Sequence, residues 1–122
     1  MKIEYANSDI QALFSDLEDV TGSKNLLQKK IGLQLTKKTK MRITQIKAAQ
    51  TLQKYIDFHI GNPHTLTGDL DTYVGVDLDK HIRLIIQPVP PDTSAEALKI
   101  CEVAKIIGIV DYHGGKNEWL IA

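Results

Sequence analysis

Two histidines, an arginine and an Asp-Tyr-His triplet are the residues of this 122-residue sequence best suited to chemistry. His64 enters a stretch of alternating residues, Arg83 lies within it, and Asp111, Tyr112 and His113 close an Ile/Val-rich run. Imidazoles exchange protons near neutral pH, and a guanidinium is a permanent cation whose planar fork suits phosphate oxygens. Bases, acids and a fixed cation are the set that phosphodiester cleavage requires. Each residue also has a plain structural reading. A histidine near a strand end often serves only as surface, a strand arginine lays its stem along a neighbour, and Asp-Tyr is common at turns.

Other chemistries lack their residues. No Gly-x-x-x-x-Gly-Lys or Gly-x-Gly-x-x-Gly loop is present to cradle phosphates. His59 and His64 straddle a Gly-Asn-Pro break without an intervening Glu, unlike a metalloprotease helix. Asp69, Asp71, Asp77 and Asp79 do not have the spacing of a calcium loop, and they read as turn acids. The lone Cys101 has no second thiol for a disulfide or a zinc site and reads as a buried thiol. No metal or cofactor is expected.

The elements that must position these residues follow from periodicity. Lys2 to Ala6 alternates as a short strand, and Asn7 or Ser8 can cap a helix carrying Ile10, Leu13, Phe14 and Leu17 at helical spacing. Thr21-Gly22-Ser23 marks a bend, after which Leu26, Leu27, Ile31 and Leu35 begin a second apolar stripe. A long helix is expected over roughly Lys38 to Phe58, stopped by Gly61-Asn62-Pro63. The period then changes to two. Thr72 to Leu78 and Ile82 to Gln87 form a hairpin through Asp79-Lys80, and Pro88, Pro90 and Pro91 end it. Ser94 to Ala97 reads as a short helical turn and Cys101 to His113 as a central strand. This order implies a single α+β domain over residues 1–122. An N-terminal strand and two or three helices pack on one face of an antiparallel sheet of four to five strands.

Composition fits a globular domain, with 43% hydrophobic and 25% charged residues. No apolar run approaches the roughly 18 residues of a membrane span, and Met1-Lys2-Ile3-Glu4 is too polar to open a signal peptide, so a cytoplasmic protein with no membrane partner is expected. The 15 basic and 15 acidic residues cancel, but they are unevenly placed. Residues 20–56 hold nine bases and no acid, whereas residues 1–19 carry a net −4 and residues 57–122 a net −5. Such a block can steer a polyanion to one face, or it can be only a lysine-rich solvated helix surface. Lys37, Lys38, Lys40 and Arg42 are its candidate polyanion-binding residues, for RNA in particular.

The run Asn62-Pro63-His64-Thr65-Leu66-Thr67-Gly68-Asp69, then Val76-Asp77-Leu78, Ile82-Arg83-Leu84-Ile85-Ile86 and Asp111-Tyr112-His113-Gly114, resembles the HigB-like branch of the RelE/ParE toxin superfamily. The opening Lys2-Ile3-Glu4-Tyr5-Ala6-Asn7 resembles that branch as well. The resemblance implies helices against a curved sheet whose active face points away from them. It also implies a type II toxin that cuts mRNA on the ribosome without a metal, using the 2′-hydroxyl as nucleophile. The implied partners are the ribosome, mRNA and a cognate antitoxin of helix-turn-helix type, with DNA reached only through the antitoxin complex. Carried over by motif position, His64 and His113 form the acid–base pair, Arg83 clamps the phosphate, Asp111 orients a neighbour, and Tyr112 stacks or donates a hydrogen bond. Two departures stand out. Thr67 and Leu70 occupy positions where the family commonly has cations, and residues 114–122 extend past the usual end. A ParE-like, topoisomerase-inhibiting toxin without nuclease activity and a catalytically inactive binding domain of the same fold are the alternatives.

Overall fold

The computed structural model describes residues 1–15, 17–19 and 25–122, and the bend expected at Thr21-Gly22-Ser23 lies outside them. β1 (Lys2–Tyr5) leads into α1 (Ser8–Phe14), whose cap is Asn7: its Oδ1 accepts from the Ile10 amide at 2.9 Å. A 3₁₀ turn (Leu17–Asp19) precedes α2 (Leu26–Ile31) and α3 (Leu33–Ala48). α4 (Leu52–Asp57), β2 (His64–Thr65) and a second 3₁₀ turn (Gly68–Leu70) lead to β3 (Val74–Asp77) and β4 (Ile82–Pro88). α5 (Ala95–Ile100), capped by Ser94, then precedes β5 (Val103–His113) and β6 (Lys116–Ile121).

The expected long helix is two helices. α3 begins earlier, at Leu33, and ends at Ala48, where Ala49 turns extended. Thr51 then caps α4 by accepting from the Lys54 amide at 3.2 Å, and the Leu52 amide donates to the Cys101 carbonyl at 2.9 Å. A threonine cap and a tertiary hydrogen bond break the helix where no Gly or Pro marks a stop. The break turns α4 against α5.

The sheet order is β1-β5-β4-β3-β2, with β6 also on β5. β4 takes one edge of β5, and β1 and β6 share the other at its two ends. The fold class is the α+β arrangement expected. It differs in two details: β1 joins parallel to β5, from Lys2 opposite Val103 to Tyr5 opposite Ile106, and residues 116–121 supply a sixth strand. The β5–β6 crossing is tight. A Cβ on Gly108 would lie 2.0 Å from the Ile121 carbonyl oxygen and 3.0 Å from the Trp119 ring, so only glycine lets the two backbones approach this closely.

The main core lies between the helices and one face of the sheet. Ile10, Phe14, Leu27, Ile43, Ile46, Leu52 and Tyr55 meet Val74, Val76, Leu84, Ile86, Ala104, Ile106 and Ile109, all buried. Each Val, Leu, Ile or Phe among them contributes about 1.5–3 kcal/mol through burial. Thr36 and Thr39 sit on the buried face of α3, and their hydroxyls donate to the carbonyls of Gly32 and Leu35 at 2.7 Å. Their polar atoms are thus satisfied within the helix. Cys101 is buried, and its thiol donates to the Val103 carbonyl at 3.1 Å. Among the described residues no helix is long and apolar enough to cross a membrane.

Tyr55 is fully buried and its hydroxyl donates to the Ile60 carbonyl at 2.9 Å. Burial pushes its pKa from 10.0 up to about 12, against the smaller opposing pull of Arg42. Between these values the unfolded chain has lost the phenolic proton while the folded chain keeps it, so stability falls as pH rises through this window. Denaturant titrations at stepped alkaline pH should show that decline in the parent and a weaker one in Tyr55→Phe. At neutral pH the variant should lose about 1 kcal/mol with the hydrogen bond.

Candidate active site

Strand alternation divides the candidate residues between the two faces of the sheet. Directly paired residues point to the same side, so Asp77, Arg83, Val110 and Trp119 form one row across β3, β4, β5 and β6. His64, Gly75, Ile85 and Gly108 form the next row. Both rows lie on the face away from the helices, because Val76, Leu84 and Ile109 alternate with them and enter the main core.

Arg83 is the centre of this open face. Its Nε is 3.5 Å from Asp77 Oδ1, and its guanidinium carbon lies 4.5 Å from the centroid of the Tyr112 ring. The Arg83 side chain is 24% exposed and that of Asp77 33%. One nitrogen is therefore engaged and the planar group is fixed by stacking. The two terminal amino groups have no hydrogen-bonding partner among the described residues, which leaves a positioned fork of donors facing solvent.

Asp77 was expected to be a turn acid. It is instead a junction: its amide donates to the Gly61 carbonyl at 2.7 Å, its carbonyl accepts from Arg42 Nε at 3.0 Å, and its Oδ2 accepts from Asn62 Nδ2 at 3.4 Å. Asp79 is the turn acid, accepting from the His81 and Ile82 amides at 2.9 and 2.8 Å. Sequence alone gave the two carboxylates no distinguishing mark. Only the arginine opposite Asp77 in the paired strand could have pointed to it.

His64 leans on its own loop, with Nδ1 2.7 Å from the Asn62 carbonyl oxygen. A carbonyl can only accept, so Nδ1 carries the proton, and in the neutral ring Nε2 is left as an acceptor. From strand spacing and rise, the Cα atoms of His64 and Arg83 are about 12 Å apart. Two side chains with a phosphodiester between them fit that span.

The Asp-Tyr-His triplet is split. Tyr112 joins Arg83, whereas Asp111 and His113 project from the other side of β5 and bond each other, His113 Nδ1 to Asp111 Oδ1 at 3.1 Å. Asp111 is paired with Ile82, a core residue of the helix-side face. The basic residues of α3 are likewise behind the sheet. Lys37 is exposed and Lys38 and Lys40 are half-buried, all without partners among the described residues. Arg42 differs: its Nε is used on Asp77 and its NH1 donates to Gln45 Oε1 at 3.1 Å, so it ties α3 to β3.

Part of the open face is covered. Ile85 and Val110 are fully buried outside the main core, and Leu70 is 7% exposed. Leu66 lies over Gly75, and Trp119 over Gly108. Leu70 fills a position where a cation was expected, and it serves as an apolar anchor for the Gly68–Leu70 turn. Among the described residues no cluster of three or more His, Cys, Asp or Glu could hold a metal ion.

No protein-family model and no curated protein matches the sequence. Solved structures do match the fold. The YoeB/ParE toxin from Agrobacterium tumefaciens is 14% identical with a TM-score of 0.52, covering 93% of this chain and 100% of its own. The YoeB-YefM complex from Staphylococcus aureus is 19% identical with a TM-score of 0.50, covering 93% and 97%. The chain thus shares the fold of these two solved structures.

The Arg83 contacts separate by double-mutant cycles read by denaturant unfolding. The Asp77→Ala/Arg83→Ala cycle should give a coupling of about 0.5–1 kcal/mol that shrinks in high salt. The Tyr112→Ala/Arg83→Ala cycle should give about 0.5–1 kcal/mol with little salt dependence.

Proposed function

We propose that this protein is the toxin of a type II toxin–antitoxin pair, a metal-independent endoribonuclease that cuts mRNA on the ribosome. One observation carries the reading: on the open face of a RelE/ParE-type sheet, Arg83 is pinned by Asp77 and Tyr112 with its terminal donors unspent. The HigB-like motifs around His64, Arg83 and Asp111-Tyr112-His113 support it independently of the fold.

In this mechanism His64 Nε2 takes the proton of the 2′-hydroxyl, which attacks the adjacent phosphorus. Arg83 binds the non-bridging oxygens and stabilises the charge that gathers there in the transition state. The bond to the 5′-oxygen breaks and that oxygen must be protonated. Pairing His64 with His113 would require both imidazoles on one face. Because Tyr112 shares the face of Arg83 and His113 does not, Tyr112 takes the acid role here, and the His113–Asp111 pair braces the end of β5. The products are a 2′,3′-cyclic phosphate and a 5′-hydroxyl.

An antitoxin is the silencing partner, in keeping with a structural neighbour solved as the YoeB-YefM complex. The lysines of α3, behind the sheet, meet ribosomal RNA while the open face meets mRNA.

Induction without an antitoxin should arrest growth, with cleavage of mRNA that requires translation. His64→Ala should slow cleavage about 10²–10⁴-fold, Arg83→Ala about 10²–10³-fold, and Tyr112→Phe more than His113→Ala. Cleavage unchanged in Arg83→Ala would sink the mechanism, and intact mRNA with stalled DNA replication would indicate the topoisomerase-inhibiting alternative. Replacing Lys37, Lys38 and Lys40 together by Gln should weaken ribosome binding and flatten the log–log salt slope by about two units.

A further inference from the structure

A groove of about 370 Å³ runs between the Gly68–Leu70 turn and the β5–β6 hairpin, lined by Asp69, Leu70, Gly115, Lys116, Asn117 and Trp119. None of the catalytic roles above uses it. We propose that this groove is a nucleobase-binding subsite, in which Trp119 stacks on a base of the single-stranded RNA whose phosphate Arg83 holds. The proposal rests on the RNA-cleaving reading and adds to it a residue that selects the substrate.

Position is the first argument. Trp119 stands in the same cross-strand row as Arg83, with only Val110 between them. Two strand spacings, about 10 Å, separate their backbones. That is within the reach of a nucleotide lying with its phosphate at one end and its base at the other. Tyr112 and Asn117 are paired in the adjoining row on the same face. The open face thus runs from a fixed cation to an aromatic ring without crossing the sheet.

The form of the groove is the second argument. Trp119 is 37% exposed, and its ring is seated against Gly108, whose missing side chain leaves room for it. A large aromatic side chain that is held by packing yet still half open offers a stacking platform at little further entropic cost. Leu70, 7% exposed, is the apolar part of the lining. Asp69 is exposed and has no hydrogen bond or ion pair among the described residues. A free carboxylate repels the phosphate backbone, yet it accepts from the exocyclic amino groups of a base. The Asn117 amide can both donate and accept at a base edge. This chemistry favours a base bearing amino groups, guanine above all, over uracil.

Trp119 is the single tryptophan of the chain, so intrinsic tryptophan emission reports on the groove alone. The full-length protein is titrated with a short 2′-O-methyl RNA, which lacks the nucleophile and stays intact, and separately with guanosine and uridine 5′-monophosphates. RNA should quench the emission to saturation, with guanosine monophosphate more effective than uridine monophosphate. By anisotropy of labelled RNA, Trp119→Leu should bind about tenfold more weakly and Trp119→Phe within about threefold of the parent. Asp69→Asn should lose the preference for guanine. A packing role alone would produce no quenching by a free nucleotide. Unchanged emission in the presence of RNA, with mRNA cleavage in cells intact, overturns the subsite and leaves the nuclease standing. Saturable quenching without any cleavage in cells keeps the subsite and removes the nuclease reading. Emission that responds only to an added antitoxin, and not to RNA, assigns the groove to protein and overturns the proposal.

Discussion

Asp77 ties the open face of the sheet to the helix behind it. Its main chain is fixed on one side by Arg42 of α3 and by Gly61, and its carboxylate is fixed on the other by Arg83 and Asn62. A strand residue at the end of a short hairpin is otherwise free to fray, and four partners from three segments, α3, the 61–62 loop and β4, prevent that. Gly61 matters for the same reason. It has a φ of +76°, and a Cβ there would fall 2.7 Å from Arg42 Nε, so another residue would be strained in backbone and would push the arginine off Asp77. The orientation of Arg83 therefore depends on a helix behind the sheet that never reaches the open face.

The open face combines an electrostatic end with an apolar one. Arg83, Asp77 and Tyr112 occupy one end, and Leu66, Leu70, Ile85, Val110 and Trp119 cover the other. Leu70 in place of a cation closes a small second core beneath the Gly68–Leu70 turn. Positive charge is concentrated elsewhere, on α3 and its neighbours, with the sheet in between. The overall neutrality of the chain thus conceals a separation of charge across the fold rather than an even mixture.

Much of this was legible along the chain. Alternation identified the β3–β4 hairpin, the Ile/Val-rich run identified β5, and of the two cap candidates Asn7 and Ser8 it is Asn7 that satisfies a first-turn amide. The split of α3 from α4 was not legible, because Thr51 reads as a cap only once Leu52 is seen to bond Cys101. β6 was hidden for a different reason. Lys116-Asn117-Glu118 carries no apolar alternation, and the strand is placed by pairing to β5 from Ile109 to His113 and by the gap at Gly108 that admits the Trp119 ring and the Ile121 carbonyl.

The sequence by itself determined the kinds of chemistry available, the class of the fold, and the fact that Asp111 and His113 share one side of a strand while Tyr112 takes the other. Only the tertiary structure decided which side meets Arg83, that Arg42 is committed to Asp77 rather than presented with the lysines, and that Trp119 stands in the row of Arg83. These depend on register between strands distant in sequence, and a shift of one residue moves every side chain to the opposite face. Local pattern fixes the period of a strand. The pairing partner fixes its phase.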